Sequence, residues 1–235
     1  MSHEPVHEHE IPGLSAVEML TAYASGTLTA EACVRTLLKR ANTLKHLNSW
    51  ITLNEAGAIK AARAVDDARA RGEKLGPLAG LPLLVKDNIL THGIKTTAGT
   101  HAFDELVPVR NAPVLDLFLR AGAIVLAKAN MHELAFGSTS SNAAFGFVRN
   151  PYHTDRIPGG SSGGTAAGVA ARIAPAGLGT DTGASVRNPA SFCGIVGLRP
   201  SIGNGGAQRR YDGAGVVAIS RTRDSVGPMA RPLAD

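Results

Sequence analysis

Aromatic side chains make up only 4% of this 235-residue chain, and it holds two cysteines, Cys33 and Cys193, and a single tryptophan. So few flat rings leave little on which the bases of a single strand could stack, so the net charge of +5 does not by itself indicate a nucleic-acid partner. Arg209, Arg210, Arg221, Arg223 and Arg231 gather near the C-terminus, but no basic stripe with interleaved aromatics accompanies them, and direct binding to nucleic acid is not expected. Two cysteines are too few for a disulfide framework. The apolar runs Leu83–Val85, Ile124–Leu126 and Ile195–Leu198 fall far short of the roughly 20 residues a membrane helix requires. The first residues are acidic and histidine-rich where a secretory leader would be basic and then apolar. The expectation is a cytoplasmic protein with no membrane partner.

At 44% apolar residues the chain has ample material for a buried core. His3, His7 and His9 alternate with Glu4, Glu8 and Glu10 without any apolar pattern, so residues 1–13 read as a flexible, solvated tail, not a metal cluster. From Leu14 to about Lys45, and from Asn54 to Arg71, apolar residues recur at threes and fours, predicting an outer helical layer over 14–75. After Gly76-Pro77 the pattern changes. Leu81–Val85 reads as a buried strand, Ala112–Ala121 as a helix and Ala123–Ala127 as a strand, the order of a parallel sheet covered by helices. Beyond Asn150, short strand-like runs (Ala174–Gly179, Ile195–Leu198, Val216–Ile219) alternate with a helical Gly164–Arg172 in a glycine-dense region.

Gly159-Gly160-Ser161-Ser162-Gly163-Gly164 demands an unusual backbone. A phosphate-binding loop would end in Gly-Lys-Ser/Thr, yet no lysine follows Lys128. A nucleophile elbow, G-x-S-x-G, would need an acid and then a histidine downstream, yet the last histidine is His153. A histidine-based triad of that kind cannot be completed within these residues; unless the missing member lies on another chain or on further sequence, a serine here needs another base. Gly179-Thr180-Asp181-Thr182-Gly183-Ala184-Ser185 is a second small-residue stretch, able to aim successive backbone N–H groups at one point, as a tetrahedral oxyanion needs. Lys86, at the C-terminal end of the Leu81–Val85 strand, stands where α/β sheets place their sites, and a lysine made neutral can take a serine proton.

Taken with Leu81-Pro82-Leu83-Leu84-Val85-Lys86-Asp87-Asn88-Ile89, Ala127-Lys128-Ala129-Asn130-Met131-His132-Glu133-Leu134, Arg156-Ile157-Pro158 through Gly164, Gly179 to Arg187 and Phe192-Cys193-Gly194, the chain resembles the amidase signature family from about Leu14 to its last residue. The resemblance implies an α/β fold with a mixed central sheet covered by helices on both faces, residues 76–235 forming the catalytic core. Because family members are commonly about twice this length, the C-terminal half of the usual domain is expected to be absent. It also implies roles for individual residues: Ser185 as nucleophile, Ser161 as a bridging serine following a cis Gly160–Ser161 bond, and Lys86 as base. The backbone N–H groups of Thr182, Gly183, Ala184 and Ser185 would form the oxyanion hole, and Ser162 would support the relay by hydrogen bonding. Asp181 and Arg187 would pair to stiffen the Ser185 loop, while Cys193 and His132 are expected to pack without a chemical task. Ala184 stands where the family usually has a second glycine.

The reaction implied is hydrolysis of a carboxamide to a carboxylic acid and ammonia through an acyl-enzyme, with no metal and no cofactor. The wording around Asn130–Gly137 and Arg172–Thr182 is most similar to amidases of arylalkyl amides such as mandelamide or indoleacetamide. Two alternatives stay open: the glutaminase subunit of a tRNA-dependent amidotransferase, and an inactive remnant or interaction subunit. The partners expected are a small-molecule amide and either a second copy of the chain or a complementing C-terminal segment.

Overall fold

The computed structural model describes residues 4–202 and 211–235; His3, Arg209 and Arg210 lie outside the described residues. Helix α1 (Ala16–Ser25) opens on a capping box, the Ser15 hydroxyl accepting from the Glu18 N–H at 3.2 Å and the Glu18 carboxylate from the Ser15 N–H at 2.8 Å. It stops at Gly26, whose φ of 75° favours glycine. Helix α2 (Ala30–Thr43) then restarts behind the Thr29 cap. The helical pattern from Leu14 to about Lys45 is carried by two helices, because left-handed Gly26 ends α1 and Thr29 caps a new start, while the buried Leu28 between them keeps the apolar spacing across the break. Asp66 of helix α3 (Glu55–Ala70) accepts from the Ala30 and Glu31 amides, both at 2.9 Å, and so ties α3 to the positive end of α2.

Among the described residues six strands form one mixed sheet: β1 (Trp50–Leu53), β2 (Pro82–Lys86), β3 (Ile124–Ala129), β4 (Ala176–Asp181), β5 (Val196–Gly197) and β6 (Ser225–Ala230), in the order β1-β3-β2-β4-β6-β5. β2 runs parallel to β3 and β4 on either side; the remaining pairs are antiparallel. Every residue of β2 and β3 is buried, as near-continuous apolar strands covered on both faces must be. Leu84 and Leu126 point into the cluster built with α1 to α3, whereas Val85, Val125 and Leu178 meet Val114 and Leu115 of helix α4 (Pro113–Arg120), the crossover from β2 to β3.

Three expectations change. Residues 14–75 are not helical throughout, since they supply β1, and one buried cluster runs from Ile11 through β2 and β3 with no break near residue 76. The tail lies against the body: the Val6 N–H donates to Thr27 O at 3.0 Å and Ile11 is 2% exposed. Val216–Ile219 forms no strand; Val216 makes an isolated bridge with Ile89. His7 and His9 stack at 5.8 Å, and no cluster among the described residues has the side chains to hold a metal.

Helix α5 (Gly163–Ala170) lies on the sheet so closely that small residues are obligatory. A Cβ on Gly164 would come within 2.1 Å of Asn130 O and 2.6 Å of Ser49 O, both backbone atoms unable to rotate away. Gly164→Ala is therefore expected to cost about 1–3 kcal/mol or more of stability, measured by urea unfolding; an unchanged midpoint would contradict this packing.

Candidate active site

Lys86 is the last residue of β2 and is completely buried. Its Nζ lies 2.7 Å from Ser161 Oγ, 2.8 Å from Thr180 Oγ1 and 3.4 Å from Thr180 O. Burial lowers its pKa from 10.5 to about 7, against the opposing pull of Asp181 and Asp224. With a pKa there, a large share of Lys86 is neutral near pH 7, with a lone pair available to the Ser161 hydroxyl.

Ser161 follows a cis peptide bond to Gly160, as the resemblance implies. The turn is held on every side: the Gly160 N–H donates to Asn188 Oδ1 at 3.0 Å, and Ser140 Oγ donates to Gly159 O at 2.8 Å while accepting from the Gly163 N–H at 3.0 Å. Ser162, buried, links this turn to β4 and to the second serine. Its hydroxyl bonds Thr180 O at 3.2 Å, and its N–H donates to Ser185 O at 3.1 Å.

Ser185 sits in the turn between β4 and helix α6 (Arg187–Phe192), half-buried, and its hydroxyl has no hydrogen-bond partner among the described residues. No hydrogen bond joins it to the Ser161 hydroxyl. The turn is wound around Asp181, which accepts from the Ala184 N–H at 2.8 Å, the Val186 N–H at 3.1 Å and the Arg187 guanidinium at 3.1 Å through each oxygen. Burial pushes the Asp181 carboxyl up, but Arg187 and these amides outweigh it and hold the pKa below the ordinary value. Arg199 adds a cation 3.5 Å from Asp181 Oδ1.

The four amides expected to face an oxyanion do not stand alike. The Ala184 N–H donates to Asp181 Oδ1 at 2.8 Å. Those of Thr182, Gly183 and Ser185 have no backbone partner among the described residues. Ala184 has a φ of +95°, a conformation that favours glycine.

The turn borders a cleft of about 400 Å³ lined by Ala135, Phe136, Gly137, Ser138, Gly160, Asn188 and Ile219 as well as Thr182 to Ser185. No charged side chain lines it among the described residues. The His132 ring makes no hydrogen bond to either serine's hydroxyl: its Nδ1 lies 3.3 Å from Thr139 Oγ1, while its backbone N–H donates to Ser161 O at 3.1 Å; burial lowers its pKa, and Lys86 adds to that against Glu133. Cys193 is buried, its thiol pushed up to about 12 by burial.

Sequence reading missed several neighbours. Asn88 Nδ2 donates to Thr180 Oγ1 at 3.1 Å, so Thr180 meets both Asn88 and Lys86. A second fully buried lysine, Lys128, donates to Ile89 O at 2.7 Å and Thr96 Oγ1 at 2.8 Å, and lies 3.5 Å from Asp87 Oδ1. Burial lowers Lys128 to about 8 and raises Asp87, each partner opposing the other's shift. The sequence signal was present, since Asp87 and Lys128 both stand in the quoted motifs, but only the parallel pairing of Val85 with Lys128 brings them together.

Residues 32–235 match the family model described as Amidase. A glutamyl-tRNA(Gln) amidotransferase subunit from Chloroflexus aggregans is 44% identical over 216 residues, covering 92% of this chain and 43% of the relative. The crystal structure of native peptide amidase from Stenotrophomonas maltophilia superimposes with a TM-score of 0.86 at 35% identity, covering 94% of this chain and 46% of that one. The corresponding glutamyl-tRNA(Gln) amidotransferase subunit from Thermotoga maritima gives a TM-score of 0.77 at 32% identity, covering 97% and 45%. The chain spans less than half the length of these relatives.

Replacing Ala184 by glycine should relieve the positive φ. Ala184→Gly is expected to raise stability by about 1 kcal/mol, read as a higher urea midpoint; a lower midpoint would show that the methyl group contributes packing that outweighs the conformational cost.

Proposed function

This chain belongs to the amidase family, and from that premise we propose that it carries the relay of a serine amidase in which Ser185 attacks a carboxamide, Ser161 bridges and Lys86 is the base. The observation that carries the reading is a fully buried Lys86, with a pKa near 7, 2.7 Å from Ser161 Oγ. Ser185 Oγ forms a bond to the amide carbon while its proton passes to Ser161 and the Ser161 proton to Lys86. The oxyanion receives the amides of Thr182, Gly183 and Ser185. Lys86 then returns the proton through Ser161 to the leaving nitrogen, releasing ammonia, and water hydrolyses the acyl-enzyme by the same route to the carboxylic acid. The missing Ser161–Ser185 hydrogen bond is compatible with this scheme, because catalytic hydrogen bonds commonly tighten only with substrate in place. Ser162, Asp181 and Arg187 hold the two turns in register.

The uncharged cleft with Phe136 and Ile219 favours a neutral amide with an apolar acyl group, arylalkyl amides included, over a zwitterionic amino acid. The relatives named as amidotransferase subunits support a second reading, a glutaminase subunit whose ammonia passes to a partner; glutamine hydrolysis that appears only when partner subunits are added would favour it. The cytoplasm suits either reading.

A fluorophosphonate probe should label Ser185, at a rate that is flat above pH ~8 and falls as pH drops through about 7, because protonation of Lys86 removes the base. Lys86→Ala and Ser161→Ala should each slow labelling by about 100-fold or more, and Ser185→Ala should abolish it. Labelling at full rate in Lys86→Ala would refute the relay, and no labelling of a folded sample would favour a non-catalytic remnant. Turnover is a separate matter. Amide hydrolysis by residues 1–235 alone should be weak and should rise on adding the C-terminal half of a relative, because the cleft is open on one side and a substrate must be held within about 3–3.5 Å of the nucleophile. Strong turnover by the monodisperse chain alone would show that no further wall is needed.

A further inference from the structure

A single carboxylate outside the relay joins two separate parts of the cleft. Asp224, 8% exposed, immediately precedes β6. Its Oδ1 accepts from the Thr182 hydroxyl at 2.5 Å and its Oδ2 from the Ile219 N–H at 2.8 Å, while the Ser220 N–H lies 3.1 Å from both oxygens. Thr182 opens the turn that carries Ser185, and Ile219 is a wall of the same cleft. The carboxylate is itself fixed, because the Asp224 N–H donates to Ser220 O at 3.0 Å and the next residue, Ser225, pairs with Asp181 across the sheet.

We propose that Asp224 is a positioning residue of this site, locking the Thr182 turn, and with it the amides that would face the oxyanion, to the Ile219 wall. The proposal rests on the amidase reading above for its chemical purpose, but the lock is a property of the folded chain and is measurable without turnover. Remove the carboxylate and the Thr182 hydroxyl loses its acceptor together with the Ile219 and Ser220 amides, so both segments loosen at once. A second consequence is electrostatic. The charged or titratable groups around Lys86 are Asp181 at the end of β4, Asp224 before β6, His132 after β3, and the paired Asp87 and Lys128. Arg221 and Asp212 line the cavity that Asp224 shares on its other side. Of these groups, Asp181 and Asp224 favour the charged form of Lys86.

The test uses the 235-residue chain and two variants. Asp224→Asn removes the charge and reverses one side of the lock, whereas Thr182→Val removes only a hydroxyl and keeps the shape, so it should fold even if the first does not. Amide hydrogen exchange is followed at Ala184, Ile219 and Ser220, and Lys86 is titrated through its 13Cε resonance. Exchange at Ala184, which does not touch Asp224, should become at least about tenfold faster in either variant. In Asp224→Asn the Lys86 midpoint should fall by about half a pH unit, a change that loosened packing alone would not direct downward; in Thr182→Val it should stay in place. Wild-type exchange at Ala184 in both variants would overturn the lock, and an unmoved or raised Lys86 midpoint in a folded Asp224→Asn would overturn the electrostatic coupling. Failure of the wild-type chain to react with the probe would instead count against the amidase reading, while the exchange data would still decide whether Asp224 joins the two segments.

Discussion

Burying the Lys86 amino group at the end of a central strand is the constraint around which the site is arranged. An ammonium taken wholly out of water is costly unless it meets acceptors or loses its proton. The chain supplies both routes. Ser161 and Thr180 surround Nζ closely enough to accept its hydrogens, while the withdrawal from solvent brings the pKa to about 7, so neither protonation state is prohibitive. For this balance β2 must lie inside the sheet between β3 and β4, with α4 on one face and the N-terminal helices on the other. The small residues of α5 serve the same end, because a bulkier helix could not bring the Ser161 turn against the strand ends.

Two fully buried lysines in one sheet are handled differently. Lys128 has a carboxylate, Asp87, together with a carbonyl and a threonine hydroxyl, and so resembles a structural ion pair. Lys86 has no carboxylate against Nζ; Asp181, which could have served, is turned away and occupied by the Ser185 loop and Arg187. The difference lies in which residues follow each strand. After β2 the chain turns within Asp87-Asn88, sending the carboxylate toward β3 and the amide toward Thr180. Burial lowers both lysines, but Lys128 keeps a carboxylate beside it that opposes the shift, whereas Lys86 meets only neutral oxygens at Nζ.

Much of this was legible in the sequence wherever local chemistry decided the outcome. The apolar runs marked β2 and β3, the glycines around Ser161 marked a turn that ordinary side chains could not make, and Lys86 at the end of a strand stood as a candidate base in a chain with no histidine after His153. What escaped reading depends on contacts between residues far apart in the chain. Nothing near Asp224 announces that its carboxylate will meet Thr182, 42 residues away, and nothing near Asn88 points to Thr180, 92 residues away. The engaged Ala184 amide is of the same kind, since only the folded position of Asp181 puts an acceptor against it. The split between α1 and α2 escaped because Leu28 keeps the apolar spacing, and Val216–Ile219 has strand-like composition but meets the loop after β2 instead of a sheet edge.

The position of β6 within the sheet also governs how the chain can be built during synthesis. It is the latest of the six strands to leave the ribosome, yet it lies between β4 and β5, both made earlier. Until it arrives, β4 has an open edge on that side and β5 has no neighbour to pair with. β1 to β4 can pair as they emerge, whereas the edge beside the Ser185 turn waits for a late insertion, a non-local step that is slow and leaves strand edges exposed to other chains. Codon choice or chaperone occupancy over residues 182–224 would therefore affect the yield of folded protein more than the same interference over the β2 to β3 segment.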